Sequence, residues 1–171
     1  MHPGLIAFAI VIVILLVYIV GRKRSSELCE YTAGAWIAPD EFCEEAELQS
    51  LMIVLAEPES TGFFGQVKQL GHIVATPNAI NTSMTLTYNR GASLSSHKKN
   101  IHATVEFDDG PLWGESNPTE CVIEVDMTTG RMIIRNDTTV FASLFKENNI
   151  SDLIKDVEAA DADVDPPPQV S

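Results

Sequence analysis

Residues 83–90 read SMTLTYNR and place an apolar side chain at every second position from Met84 to Tyr88. Successive side chains of a strand point to opposite faces, so Met84, Leu86 and Tyr88 would share one face. Residues 101–107 (IHATVEF) repeat the pattern. Alternation of this kind is typical of antiparallel strands that are buried on one side, and it predicts a β domain.

Further apolar or alternating segments flank this pair. We predict additional strands over 51–57, 63–76, 121–127, 131–135 and 138–145. Within 63–76, Gly65 and Gly71 interrupt the apolar residues, which predicts one or two strands with a bend. The triplet Thr128-Thr129-Gly130 predicts a hairpin turn, with glycine where a positive φ is needed. Seven or eight short strands without βαβ alternation favour an antiparallel sandwich or barrel.

Two short helices and a tail complete the predicted domain. Residues 27–38 gain β-forming residues near their end, where Gly34 permits a bulge before a core Trp36. Residues 39–48 predict an inserted helix, because Pro39 suits a first helical position and acidic residues follow it. Residues 149–158 predict a C-terminal amphipathic helix. Residues 159–171 are acidic and rich in proline, which predicts an extended tail.

Residues 5–20 (LIAFAIVIVILLVYIV) form one apolar segment whose only polar side-chain group is the Tyr18 hydroxyl. A helix of this length spans about 24 Å, slightly less than a bilayer core of about 30 Å. The long side chains of Arg22, Lys23 and Arg24 can reach the headgroups and close most of that gap. We therefore predict a single-pass membrane anchor over residues 1–24, a β domain over 25–158 and a tail over 159–171.

The predicted anchor residues are apolar throughout. They are Leu5, Ile6, Phe8, Ile10, Val11, Ile14, Leu15, Leu16, Tyr18 and Val20. We predict that Arg22, Lys23 and Arg24 determine the topology of the anchor and contact the lipid headgroups. This basic cluster follows the apolar segment, so the positive-inside rule places the β domain on the cytosolic side. A cleaved signal peptide fits less well, because the segment has no preceding basic region and no cleavage site.

The charge of the β domain limits the kinds of partner that it can bind. From Ser25 onward there are 8 basic and 24 acidic residues, a formal net charge of −16. Nucleic-acid binding requires basic surface, so this balance argues against it and favours partners with basic patches. We assign partner contacts to an exposed Trp113 and to the tail residues Asp161, Asp163, Asp165, Pro166, Pro167 and Pro168.

The residues that could carry chemistry do not form a recognisable motif. Cys29, Cys43 and Cys121 are an odd number, which favours reduced, buried thiols over a disulfide framework. His97 and His102 lie five positions apart, which is no established metal-ligand spacing. We therefore expect no enzyme activity, metal or cofactor. Sequons at Asn81, Asn136 and Asn149 would matter only in a lumenal domain.

The order of anchor, basic cluster, GAWIAPDEFCEEAEL (34–48) and LMIVL (51–55) resembles one group of viral proteins. These are membrane-anchored minor capsid proteins of large icosahedral double-stranded DNA viruses with an internal membrane, such as chloroviruses. The resemblance covers about residues 5–57. It implies a structural protein that tethers the internal viral membrane to the capsid shell. Its implied partners are the bilayer and other capsid proteins, major and minor, with no small-molecule substrate.

This resemblance also implies a location. A virion membrane taken from the endoplasmic reticulum turns its cytosolic face toward the capsid, which is the side where the charge rule places the β domain. Two alternatives remain open. One is a membrane-anchored, lipocalin-like ligand-binding module, because Gly34-Ala35-Trp36 resembles the first strand of lipocalins. The other is a thiol- or metal-dependent enzyme, which would need two histidines, or a cysteine and a histidine, within bonding distance.

Overall fold

The computed structural model describes residues 3–61, 65–91 and 93–147, with side chains left undescribed at 3–7, 60 and 61. One long and one short helix accompany nine strands in this part of the chain. In order they are α1 (Pro3–Tyr31), β1 (Gly34–Ile37), α2 (Asp40–Glu45), β2 (Ser50–Leu55), β3 (Glu59–Thr61), β4 (Gln66–Thr76), β5 (Ile80–Asn89), β6 (Lys98–Phe107), β7 (Thr119–Asp126), β8 (Arg131–Arg135) and β9 (Val140–Lys146).

The strands form a closed antiparallel barrel. Strands β4 to β9 pair with their neighbours in chain order, β9 pairs with β1, β1 with β2, and β2 returns to β4. The closed sheet therefore has eight strands, while β3 pairs with β4 beyond the end of β2. The prediction of a mainly β, antiparallel domain is confirmed, and of the sandwich and barrel alternatives the structure has the barrel.

The barrel interior is filled by inward-facing side chains. Burial alternates along the strands, as in β6, where Ile101, Ala103, Val105 and Phe107 are all at most 6% exposed. Closing the sheet pairs every strand on both edges and leaves one common interior for these side chains. Trp36 on β1 is fully buried in this core, as its sequence context predicted.

Gly71 has a different role from the one its sequence position suggested. Of the one or two strands predicted over 63–76, the structure has β4, a single strand that runs unbroken for 11 residues through Gly71. Gly71 lies opposite Leu55 on one side and Met84 on the other. A Cβ added at this position would approach Leu55 Cδ2 to 2.7 Å and Met84 Cγ to 3.1 Å. The glycine is therefore needed for space inside the barrel.

Helix α1 has two parts with different surroundings. From Phe8 to Val20 every residue is exposed, whereas Gly21, Ser25, Leu28 and Cys29 are buried against the barrel. The helix continues to Tyr31, so its last turns close one end of the barrel, which we call the helix end. Residues 27–31 are thus helical, and only the end of the predicted 27–38 segment forms a strand.

Within the residues whose side chains are described, no helix has both the length and the mean hydropathy that a membrane span requires. The side chains of Leu5 and Ile6, which belong to the predicted anchor, lie outside the described set. The predicted C-terminal helix (149–158) and tail also lie outside the described residues. The same holds for the tail residues Asp161, Asp163, Asp165, Pro166, Pro167 and Pro168.

The prediction that Trp113 is exposed is wrong. Its side chain is 9% exposed, stacks on Phe141 with ring centroids 5.3 Å apart, and meets the edge of Phe107 at 5.1 Å. The loop carrying it folds back over the barrel because Asn117 exchanges two hydrogen bonds with the Phe107 backbone. The hydroxyl of Thr119 also donates to the Trp113 carbonyl at 2.7 Å. Trp113 is therefore a core residue.

Candidate interaction surface at the helix–barrel junction

The basic residues that follow the apolar segment lie against the loop between β5 and β6. The backbone N–H of Ser93 donates to the Gly21 carbonyl at 3.0 Å. Arg24 Nη1 donates to the Leu94 carbonyl at 2.6 Å. Arg22 donates to the Tyr18 hydroxyl at 3.2 Å, while Lys23 is exposed. We call residues 93–97 the Leu94 loop, and it lies level with the point where the apolar segment ends.

One turn further into the barrel, α1 is held by a buried lysine. Lys99 Nζ donates to Ser25 Oγ and to the Arg90 carbonyl, and Ser25 Oγ itself donates to that carbonyl at 2.5 Å. Lys99 is only 9% exposed and Ser25 is fully buried. Burial lowers the pKa of Lys99, with the nearby Arg90 adding to this and Cys29 opposing it. These contacts join α1 to β6 and to the residue that follows β5.

The last turn of α1 is held by Gln69, which is 1% exposed on β4. Its Oε1 accepts from the Tyr88 hydroxyl at 3.2 Å, and its Nε2 donates to the Ala56 carbonyl at 2.7 Å. The hydroxyl proton of Thr32 is shared between Gln69 Oε1 at 3.0 Å and the Cys29 carbonyl at 2.5 Å. Gln69 therefore connects α1 to two strands and to the segment after β2.

The other side of the helix end is closed by Lys146 on β9. Its Nζ donates to the Tyr31 carbonyl at 2.5 Å and lies 3.9 Å from the centre of the Tyr31 ring. The Trp36 indole N–H donates to the Thr32 carbonyl at 2.7 Å. A cation over an aromatic ring adds attraction to the hydrogen bond. The end of α1 is thus bonded to β1, β4 and β9 as well as to the β5–β6 side of the barrel opening.

Sequence reasoning missed Gln69, Lys99 and Lys146 as positioning residues. A signal was available for two of them. On β6, the alternation of residues 101–107 continues to position 99, which places Lys99 on the inward face. On β4, Gln69 is an even number of residues from the inward-facing Val67 and Ile73, so it faces inward as well. A buried polar side chain in an apolar series requires a partner, which here is α1.

The candidate chemical groups are separate or buried. The thiols of Cys29, Cys43 and Cys121 are free and buried, and burial raises the pKa of each, for Cys121 to about 12. Raised values disfavour the nucleophilic thiolate. His72 Nε2 is hydrogen-bonded to Asn81 Oδ1. Within the described ranges, no three His, Cys, Asp or Glu side chains are grouped closely enough to hold a metal ion.

The barrel has the strand number of a ligand-binding barrel, but its inward positions are occupied by large side chains. Trp36, Ile53, Met84, Ile123, Met132 and Leu144 are among those with at most 2% exposure. A cleft of about 390 Å³ lies at the surface near His102 and Glu120, and it is open to solvent. These observations do not favour the lipocalin-like alternative.

The end of the barrel away from α1, which we call the far end, is acidic. Its four connections are residues 38–49, 77–79, 108–118 and 136–139. They contain no Lys or Arg and nine carboxylates: Asp40, Glu41, Glu44, Glu45, Glu47, Asp108, Asp109, Glu115 and Asp137. The two ends of the barrel therefore differ in charge and in their connection to the apolar helix.

Comparison with known proteins links the chain to a large DNA virus. It is similar to the uncharacterized protein EP152R of African swine fever virus (isolate Tick/South Africa/Pretoriuskop Pr4/1996), with 24% identity over 161 residues. The match covers 92% of this chain and 97% of that protein. No family model matches the chain, and no solved structure matches it. The similarity suggests a viral protein, and it does not confirm the chlorovirus-like capsid assignment.

Proposed function

We propose that this chain is a non-enzymatic structural protein of a virion, anchored in an internal membrane by α1 and contacting capsid proteins through its barrel. The observation that carries the proposal is the exposed apolar part of α1. Twelve large apolar residues between Phe8 and Val20 are 40–65% exposed, and they lie on all sides of the helix. A helix that is apolar all around requires an apolar environment, which a bilayer provides.

The charges fit an anchor of defined orientation. The segment before Arg22 carries no Lys or Arg, and three basic residues follow the apolar part directly. By the positive-inside rule, the barrel then lies on the cytosolic side, which becomes the capsid-facing side of an internal viral membrane. The far end points away from α1, so its nine carboxylates would meet basic surfaces of neighbouring capsid proteins.

The similarity to a viral protein over nearly the whole of both chains supports a virion role over a cellular one. The packed barrel interior and the buried thiols support a binding role over catalysis. The tail, with Asp161 to Pro168, would add partner contacts of the same acidic character. If a chain ending at residue 158 assembled and bound its partners as the full chain does, the tail would have no such role.

The native sequons provide a test of orientation. The full chain would be synthesised with endoplasmic-reticulum membranes, extracted with alkaline carbonate and treated with an N-glycosidase. We expect the chain to stay in the membrane pellet and to carry no glycan at Asn81, which is exposed at the start of β5. A sequon fused through a spacer ahead of Met1 is the matched positive control. Extraction into the carbonate supernatant would refute the anchor, and a glycan at Asn81 would refute the orientation.

Partner contact at the far end can be tested in the native membrane. A photo-crosslinking amino acid at Asp137 would be compared with one at Thr87, an outward position on the side of the barrel. We expect crosslinks to capsid proteins that predominate at position 137. Equal crosslinking at both positions, or crosslinks confined to host proteins, would contradict the proposed role of the far end.

A further inference from the structure

We propose that the Leu94 loop is a second membrane-contacting element, which rests on anionic lipid headgroups beside α1. This inference rests on the proposed function, because it assumes that the apolar part of α1 lies in a bilayer. It adds a contact that the barrel itself makes, so that the helix end lies against the membrane surface and is not held away from it by a spacer.

The position of the loop follows from its hydrogen bonds to α1. Ser93 bonds to the carbonyl of Gly21, the first residue after the apolar segment, and Arg24 bonds to the carbonyl of Leu94. Wherever α1 crosses the interface, the loop is therefore level with Val20 and Arg22. For a helix that ends its apolar part at Val20, that level is the headgroup layer.

The chemistry of the loop suits this layer. Leu94 is 69% exposed, more than any of the large apolar residues described on α1. Ser95, Ser96, His97 and Lys98 follow it and are all exposed. One apolar side chain among hydroxyls and basic groups can enter the interface while its neighbours contact headgroups.

Charge complementarity favours anionic lipid as the occupant. In a chain with 24 acidic residues, none lies between residues 60 and 105, and that stretch contains Lys68, Arg90, Lys98 and Lys99. Lys98 is 72% exposed and also pairs with Asp126 at 3.1 Å. Arg22 and Lys23 are exposed where the apolar segment ends, and Arg24 contacts the loop itself. A basic residue close to an anionic surface strengthens membrane attachment about fivefold.

The test uses the full chain in vesicles and one labelled position at a time. Leu94→Cys would carry an environment-sensitive fluorophore, and nitroxide-labelled lipids would act as quenchers, with the nitroxide on the headgroup for positions 94 and 137 and on the acyl chain for position 10. The native cysteines are at most 5% exposed, so the introduced thiol reacts selectively. Ile10→Cys reports on the anchor, and Asp137→Cys reports on the far end. Vesicles of phosphatidylcholine would be compared with and without phosphatidylserine.

We expect quenching at position 94 to exceed that at 137 several-fold and to increase with phosphatidylserine. Quenching at 10 but not at 94 would overturn the loop contact and leave the anchor intact. Absence of quenching at both 10 and 94 would overturn the anchor and the loop contact together. Quenching at 94 that is the same with and without phosphatidylserine would overturn the choice of anionic lipid. All three replaced residues have exposed side chains, so the barrel should fold in each variant.

Discussion

Replacing Gln69 with alanine should loosen α1 from the barrel and lower the stability of the domain. The substitution removes the acceptor of the Tyr88 and Thr32 hydroxyls and the donor to the Ala56 carbonyl. Each intramolecular hydrogen bond contributes about 1 kcal/mol net, and a buried group left without a partner costs more. Thr32 keeps its bond to the Cys29 carbonyl, so the main cost is the three lost hydrogen bonds, and we expect the unfolding free energy to fall by about 3 kcal/mol.

The measurement is urea unfolding of the full chain in detergent micelles, followed by tryptophan fluorescence. Trp36 reports directly on this region, because its indole bonds to the Thr32 carbonyl. Gln49→Ala is the matched control, since Gln49 is exposed and should change stability by less than about 0.5 kcal/mol. Amide exchange at residues 25–32 should be faster in the Gln69→Ala variant, because the end of α1 is no longer hydrogen-bonded to the Gln69 side chain.

A double-mutant cycle with Thr32→Val isolates the contact between the helix and the strand. The two residues share one hydrogen bond, so their substitutions should be non-additive by about 1 kcal/mol. The reasoning is refuted if Gln69→Ala costs no more than the exposed control. It is also refuted if the loss is large while exchange at 25–32 is unchanged, because Gln69 would then stabilise the barrel alone.

Three further outcomes follow from other parts of the barrel. Gly71→Ala should cost about 1–3 kcal/mol of unfolding free energy, because its Cβ would collide with Leu55; a neutral result in urea unfolding would show that β4 can shift. Lys146→Met keeps most of the apolar stem but loses the bond to the Tyr31 carbonyl and the cation over its ring, so it should cost about 1–2 kcal/mol in the same assay. Burial raises the pKa of Cys121 to about 12, so the folded thiol stays protonated where the unfolded one ionises, and stability should fall as pH rises from about 8.5 toward 12. Cys121→Ala should reduce this slope, and an unchanged pH dependence would contradict the assignment.

The strands could be predicted from the sequence where one face of the strand is buried and the other is exposed. The alternation in 83–90 and 101–107 matches the buried faces of β5 and β6, and the turn at Thr128-Thr129-Gly130 joins β7 to β8 as predicted. Strand β6 begins at Lys98, three residues earlier than predicted, because lysine and asparagine conceal the period. The short β3 lies between two predicted strands and was not predicted itself, because its pairing with β4 and not its own residues makes it a strand.

The candidate site was only partly predictable, for a physical reason. Arg22, Lys23 and Arg24 are evident because charge after an apolar segment is a local signal. The Leu94 loop carries no such local signal, because its place beside Gly21 depends on the closed barrel and on a helix that continues to Tyr31. Trp113 was misplaced because glycine, asparagine and proline around it are typical of exposed loops. A residue that is buried by a folded-back loop is not part of a periodic pattern of apolar residues in the sequence.

Helix α1 passes from its apolar part into the barrel opening without a break, and this continuity fixes an angle as well as a distance. Each residue of an α-helix advances about 1.5 Å and turns about 100°. One residue inserted between Val20 and Ser25 would therefore rotate the barrel by about 100° relative to the apolar part of the helix. No flexible linker separates the apolar part of α1 from the barrel, so the barrel cannot rotate independently of the helix. A sideways force on the barrel is therefore transmitted to α1 as torque. The barrel and the apolar part of α1 therefore turn together as one body.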